Sequence, residues 1–176
     1  MCIRDRHNAR NAMVALLAVK IYGIKLTDGI NSLKKFKGVA KRQDLLMDEE
    51  RLLLIEDFAH HPTAIETTLK GIKKAYSNRK IYAAIELRSN TMKSGFHDDR
   101  LINVCSLVDK VFWKSEDKDQ AKKLVEALPD KSSQIINIEN FIDEFKQINR
   151  KGDVLVVMSN GNFDNLSQLL MNEFKK

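Results

Sequence analysis

The chain has 176 residues, 43% hydrophobic and 31% charged, with a formal net charge of +6. No apolar run reaches the length needed to cross a bilayer, and Arg4, Asp5 and Arg6 stand where a secretion signal would need an apolar core. The two cysteines, Cys2 and Cys105, lack the spacing of a disulfide framework, so a reduced, cytoplasmic setting is expected. The length supports one full-sized core, or one domain with a piece of another. A positive balance suits an anionic ligand such as a nucleotide, and suits an ordinary basic surface equally well.

Residues 1–6 fit no pattern that follows and are set aside as a non-native start. An alanine-rich helix is expected from His7 to about Tyr22, with Met13, Leu16, Leu17 and Ile21 buried and Gly23 ending it. Thr27 or Asp28 is expected to cap a second helix through about Phe36, with Ile30 and Leu33 inward. Two helices and a basic loop cannot bury a domain-sized core, so residues 7–46 read as the tail of one domain. A second domain is expected over 47–176, with the boundary near Leu46 to Glu50, where an acidic run precedes the first strand.

That second stretch alternates strand and helix. Leu52 to Ile55 is a short apolar run with the character of a buried strand. It leads through Glu56, Asp57, His60 and His61 to Pro62, which is suited to a first helical turn. Ile65, Leu69, Ile72 and Tyr76 then mark one buried helix face. Further strands are expected at Lys80–Leu87, Asp109–Lys114, Gln134–Asn137 and Asp153–Met158. Helices between and after them carry Leu101, Ile102, Cys105 and Leu107, then Ala121, Leu124, Val125 and Leu128, then Phe141, Ile142 and Phe145, and finally Leu166, Leu169, Leu170 and Phe174. This alternation implies an α/β fold with a mostly parallel sheet covered by helices on both faces.

In such folds ligands bind beyond the carboxyl ends of the strands. Three strand-end loops are therefore candidate site segments: Asp57 to His61, Arg88-Ser89-Asn90-Thr91, and Ser159-Asn160-Gly161. Arg88 offers a planar fork suited to a carboxylate, with a plain surface charge as the alternative. For Asp57 and His60 the alternative is a helix cap and a solvated histidine, and Asn160-Gly161 alone is a turn signal. His60, His61, His97 and Cys105 match no zinc spacing, so no metal site is expected. Neither glycine-rich phosphate motif is present, and no Ser/His/Asp or Cys/His order suggests a covalent nucleophile.

Three segments resemble motifs of the Mur ligase family. His7-Asn8-Ala-Arg-Asn11-Ala12 resembles the H-N-x-x-N-A motif late in the central domain. Phe36-Lys-Gly-Val-Ala-Lys41-Arg42 resembles the F-x-G-x-x-R-R loop, with Lys41 in place of the first arginine. Glu56-Asp57-Phe-Ala-His60-His61-Pro62-Thr63 resembles the D-D-[YF]-[AG]-H-H-P-T signature that opens the carboxyl-terminal domain. Within the family, Glu86-Leu-Arg88-Ser89-Asn90-Thr91-Met92 and Val157-Met158-Ser159-Asn160-Gly161 resemble the peptidoglycan-recycling branch, the murein peptide ligases. The L-alanine-adding branch carries a His-Arg-Tyr-Thr type of sequence at the Arg88 position.

The resemblance implies a Rossmann-like carboxyl-terminal domain with a sheet of about five or six strands, preceded by two helices from the end of a central ATPase domain. It implies an ATP- and Mg²⁺-dependent ligase that joins UDP-N-acetylmuramate to the murein tripeptide L-alanyl-γ-D-glutamyl-meso-diaminopimelate. The muramate carboxylate is phosphorylated, and the free amine of the peptide attacks the acyl phosphate to form an amide. By matching motifs, Asn8, Asn11, Arg42, Asp57 and His60 would serve the nucleotide, Asp57 by holding its ribose or by orienting its own loop. Arg88, Ser89, Asn90 and Thr91 would meet the tripeptide, with Ser159, Asn160 and Gly161 lining the same cleft. The phosphate-gripping loop, the Mg²⁺ acids and the uridine-binding domain would lie upstream, leaving this stretch inactive alone. The alternatives are an L-alanine-adding ligase fragment and a non-catalytic module that binds a nucleotide or peptide. A nucleic-acid partner would rest on Lys34, Lys35, Lys37, Lys41 and Arg42, with no aromatic platform beside them, and none is expected.

Overall fold

The computed structural model describes residues 6–36, 39–95 and 97–175, with side chains from residue 9 onward. Of the residues set aside as a non-native start, 1–5 lie outside this range, and Arg6 opens the first helix. The chain forms two compact units that divide between Ala40 and Lys41. The division expected between residues 46 and 47 falls inside a strand of the second unit.

In the first unit, α1 (Arg6–Ile21) and α2 (Leu26–Lys35) are joined through Gly23, whose φ of +79° is left-handed and favours glycine. The helices meet closely at Gly29, where a Cβ would lie 3.0 Å from Leu16 Cδ2 and 3.1 Å from Val19 Cγ2. The expected burial of this unit is corrected by the structure. Met13, Leu17, Ile21 and Ile30 are exposed, and α2 has no buried residue. One line of contact between two short helices cannot cover both of their apolar faces. The α2 cap also differs: Lys25 occupies that position, with no side-chain cap, so neither Thr27 nor Asp28 starts the helix.

The second unit is a six-stranded sheet in the order β1-β2-β6-β3-β4-β5. Its elements are β1 (Asp44–Asp48), β2 (Leu52–Asp57), α3 (Pro62–Ala75), β3 (Ile81–Leu87), α4 (Asn90–Lys93), α5 (Asp98–Cys105), β4 (Lys110–Ser115), α6 (Lys118–Ala127), β5 (Ser132–Gln134), α7 (Ile138–Ile148), β6 (Asp153–Met158) and α8 (Leu166–Phe174). Strands β2 to β6 are parallel, and only β1 runs antiparallel, beside β2. The parallel core agrees with the apolar runs: every residue of β6 is buried, and so are Leu52 to Ile55 of β2.

Two apolar layers lie on the two faces of the sheet. One joins Leu53, Ile55, Ala83, Ile85, Trp113 and Val156 to Ile65, Leu69 and Ile72 of α3, Leu101 and Cys105 of α5 and Leu124 of α6. The other joins Leu52, Leu54, Ala84, Phe112 and Val157 to Phe141 and Phe145 of α7 and Leu166, Leu170 and Phe174 of α8. Each such large side chain contributes roughly 1.5–3 kcal/mol on burial, so the strands are held by both layers at once.

Two strand expectations change. β1 appears where an acidic linker was expected, with a bulge between Leu45 and Met47. β5 lies at Ser132–Gln134 rather than at 134–137, because Ser132, Ser133 and Gln134 pair with Val111, Phe112 and Trp113. Asn137 instead caps α7, its side chain accepting the Asn140 N–H at 3.0 Å.

Candidate functional site

The carboxyl ends of β2, β6 and β3 are adjacent, so the three candidate loops emerge side by side on one rim. Alternation along the strands sets what lies at that rim. Leu54, Val157, Ala84 and Phe112 belong to the layer under α7 and α8. The next residues on that face are Glu56, Ser159, Glu86 and Lys114, a polar row laid across the end of an apolar layer.

Asp57, at the end of β2, is buried, and its carboxylate is occupied by the protein itself. Oδ2 accepts the Gln43 N–H at 2.8 Å, while Oδ1 accepts the Ala59 N–H at 2.8 Å and the Thr68 hydroxyl at 3.2 Å. Burial pushes the acid above its ordinary range, outweighing those three donors and the nearby charge of Arg42. Phe58 N–H also donates to the Lys41 carbonyl at 2.6 Å. Together these bonds clamp a turn in which Lys41 and Gln43 take φ values of 57° and 47°, left-handed conformations that are unusual for such residues. Arg42 stands exposed between them, with no hydrogen bond among the described residues.

Arg88 follows β3, exposed, and among the described residues its guanidinium has neither a hydrogen bond nor an ion-pair partner. It lines a cleft of about 370 Å³ with Glu86, Leu87, Lys114, Glu116 and Asp164. Beneath it is Gly161: a Cβ there would collide with Nη1 and lie 2.9 Å from Cζ. The loop bearing that glycine is held from three sides. Ser159 N–H donates to the Asp57 carbonyl at 3.1 Å, and the Ser159 hydroxyl donates to Glu86 Oε2 at 2.5 Å while accepting the Gly161 N–H at 2.8 Å. Lys41 Nζ donates to the Gly161 carbonyl at 2.5 Å and lies 3.9 Å from Glu56.

The remaining site residues are more scattered. Ser89 Oγ and Thr91 Oγ1 are 3.4 Å apart where α4 begins, and Asn90 and Thr91 are exposed. Asn160 Oδ1 is buried with no hydrogen-bond partner among the described residues. His60 is half-buried, with Nδ1 2.9 Å from the Phe58 carbonyl, and its ring meets Phe58 edge-on at 5.1 Å. His61 meets His97 edge-on at 4.7 Å. Burial holds His61 below the usual imidazole range, aided by the charges of His97, Arg100 and His60. In the first unit Asn11 is exposed, and Asn8 lies in α1 with its side chain outside those described.

Neither Asp57 nor His60 lines the Arg88 cleft. The Asp57 carboxylate turns inward to bind backbone. Sequence reasoning missed Lys41 as a loop anchor, and missed Glu56, Glu86, Lys114 and Asp164. Glu56, Glu86 and Lys114 had a usable signal, as the polar residues that end each apolar alternation.

Residues 41–161 match the Mur ligase, glutamate ligase domain. The chain belongs to the Mur ligase family. Its relatives include the UDP-N-acetylmuramate–L-alanyl-γ-D-glutamyl-meso-2,6-diaminoheptandioate ligase of Escherichia coli strain K12, 31% identical over 97% of this chain and 38% of that one. Among solved structures, a murein peptide ligase from Psychrobacter arcticus is 35% identical, with a TM-score of 0.71 over 96% of this chain and 37% of its own. The UDP-N-acetylmuramate–alanine ligase of Thermotoga maritima shares the fold at 18% identity, with a TM-score of 0.79 over 97% of this chain and 38% of its own. The chain thus spans under two-fifths of the length of these Mur ligases. The α/β fold with a mostly parallel, helix-flanked sheet is that of their carboxyl-terminal domain.

Proposed function

We propose that this segment is the carboxyl-terminal part of an ATP-dependent ligase joining UDP-N-acetylmuramate to L-alanyl-γ-D-glutamyl-meso-diaminopimelate, a cytoplasmic step of peptidoglycan recycling. In that reading α1 and α2 close the central ATP-binding domain, and the sheet unit is the domain that presents the peptide. Relatives at 31% and 35% identity carry this peptide or the murein peptide ligase activity in their names, which supports it over L-alanine addition.

The observation that carries the reading is the exposed Arg88 guanidinium, which faces a cleft at the strand ends near Glu116 and makes no hydrogen bond among the described residues. A tripeptide with several carboxylates is a fitting guest, since a guanidinium fork takes a carboxylate through two parallel charge-assisted bonds. Ser89, Asn90 and Thr91 extend the same loop with further hydrogen-bonding groups.

ATP supplies the phosphoryl group that activates the muramate carboxyl for attack by the peptide amine. Exposed Arg42 in the second unit offers its guanidinium to a nucleotide; in the first unit, the Asn11 side chain is exposed. Asp57 serves by fixing the Arg42 turn, its oxygens being taken up by Gln43, Ala59 and Thr68. Among the described residues no three His, Cys, Asp or Glu side chains converge as a metal shell. Mg²⁺ is commonly held by one or two carboxylates together with substrate phosphates, and in this reading its protein ligands belong mostly to the part of the ligase upstream of this segment.

The test is an ATP-dependent ligation assay on the full gene product, with the tripeptide and with L-alanine as competing amine substrates. Preference for the tripeptide is expected, and preference for L-alanine overturns the reading. Residues 1–176 alone are expected to show no turnover. Arg88→Ala should raise the tripeptide KM by roughly tenfold or more, since a charge-assisted contact to the carboxylate is lost, with the ATP KM little changed.

A further inference from the structure

Gly161 and Arg88 are 73 residues apart in sequence, yet the glycine leaves the space that the guanidinium fills. The atoms nearest to a Cβ at 161 would be the far end of a flexible side chain, Arg88 Nη1 and Cζ, with Cδ at 3.2 Å. A methyl group there would displace the arginine head and leave the backbone in place. The glycine has no freedom of its own, since its N–H is held by Ser159 and its carbonyl by Lys41. Ser159 is in turn held by Glu86, which sits near the end of β3, two residues before Arg88. The arrangement is a closed bracket: the end of β3 supplies the carboxylate that fixes the platform, and the loop just after β3 supplies the arginine above it.

We propose that Glu86, acting through the Ser159 hydroxyl, and Lys41, acting on the Gly161 carbonyl, are positioning residues that seat Arg88 on Gly161 and thereby set its aim at the substrate carboxylate. This deepens the reading of the Arg88 cleft and rests on it. Ser159 and Gly161 act on the arginine, and substrate need not touch either one. Lys41 also neighbours Arg42, so the loop offered to the nucleotide is tied to the loop beneath the peptide-binding group.

The experiment uses the full-length gene product and measures tripeptide and ATP KM values for Gly161→Ala in the parent and in an Arg88→Ala background. In the parent, Gly161→Ala should raise the tripeptide KM by roughly tenfold with little change in the ATP KM, as expected for one displaced charge-assisted bond. In the Arg88→Ala background the same substitution should have no further effect, because both changes remove one interaction. Glu86→Ala should act like Gly161→Ala, and Glu86→Gln, which keeps an acceptor for Ser159, should restore most of the loss. If Gly161→Ala does not fold, Ser159→Ala carries the same comparison. Equal effects of Gly161→Ala, or of Ser159→Ala, in both backgrounds overturn the proposal, as does no effect in the parent. A tripeptide KM insensitive to Arg88→Ala overturns the cleft assignment and the proposal with it. Sensitivity to Arg88→Ala without sensitivity to Gly161→Ala or Ser159→Ala overturns the proposal alone.

Discussion

Asp57 Oδ2 accepts the backbone N–H of Gln43 at 2.8 Å, across 14 residues of sequence, and so fastens the turn before β1 to the end of β2. Removing the carboxylate leaves the buried Gln43 and Ala59 N–H groups and the Thr68 hydroxyl short of an acceptor. Leaving buried donors unpaired costs about 1–3 kcal/mol each before relaxation, so Asp57→Ala should lose about 2–4 kcal/mol in urea denaturation. Asp57→Asn retains one acceptor oxygen and avoids burying a charge, and should lose about half as much. A loss within 0.5 kcal/mol of zero for Asp57→Ala, the range typical of surface substitutions, would show that the clamp carries no stability.

How much of this was legible depends on range. β2, β3, β4 and β6 announce themselves as apolar runs because both faces of a parallel strand are covered. β1 did not, since Asp44–Asp48 is short, flanked by acids and interrupted by a bulge. Arg88 was legible as a guanidinium at a strand end. Its seat on Gly161 was not, because no local pattern links residues 73 apart. Lys41 reaches Gly161 over 120 residues, a contact set by which strands neighbour one another. The α1–α2 unit was misread in burial because an amphipathic pattern states which face is apolar and says nothing of what covers it.

His61 should titrate below the ordinary imidazole midpoint of 6.5, because burial comes first and the charges of His97, Arg100 and His60 add to it. The sign follows from the depressed value. Neutral His61 is favoured in the folded state, so its contribution is present above pH 6.5 and is lost as pH falls through the folded midpoint. A proton NMR titration of the imidazole C–H signals checks this. His97→Ala removes both the ring contact and one repulsive neighbour, and should move the His61 midpoint upward. An unmoved midpoint would assign the depression to some other neighbour.

Trp113, the only tryptophan, is fully buried, and among the described residues its Nε1 has no hydrogen-bond partner. A buried N–H without an acceptor costs about 1–3 kcal/mol. Trp113→Phe removes that group along with part of the ring, so two effects of opposite sign nearly offset. The net loss should be under about 1.5 kcal/mol, against about 3–5 kcal/mol for Trp113→Ala, where the cavity dominates. Circular dichroism during guanidinium unfolding gives both values. A loss above 3 kcal/mol for the phenylalanine variant would mean that Nε1 is satisfied in solution.

The turn after Gly161 holds three successive residues in left-handed conformations, with φ values of 46° at Phe163, 49° at Asp164 and 59° at Asn165. Such a run is strained for residues with a Cβ, and it persists only if its surroundings hold it. Phe163 is buried against the α7–α8 layer, the Asn162 side chain accepts the Asn165 N–H at 2.8 Å, and Lys114 pairs with Asp164 while lying 5.7 Å from the Phe163 ring centre. Asn165 makes no side-chain cap bond, so Asn165→Gly relieves strain at little loss and should be neutral to stabilising by about 1 kcal/mol. Asn165→Val places a branched Cβ at positive φ and should cost about 1–2 kcal/mol. Lys114→Met keeps the packed stem and removes the ion pair, so its global cost should stay under about 1 kcal/mol. Its effect should instead appear as faster amide hydrogen exchange at residues 163–165. Unchanged exchange there would mean that Phe163 packing and the Asn162 bond hold the turn without Lys114.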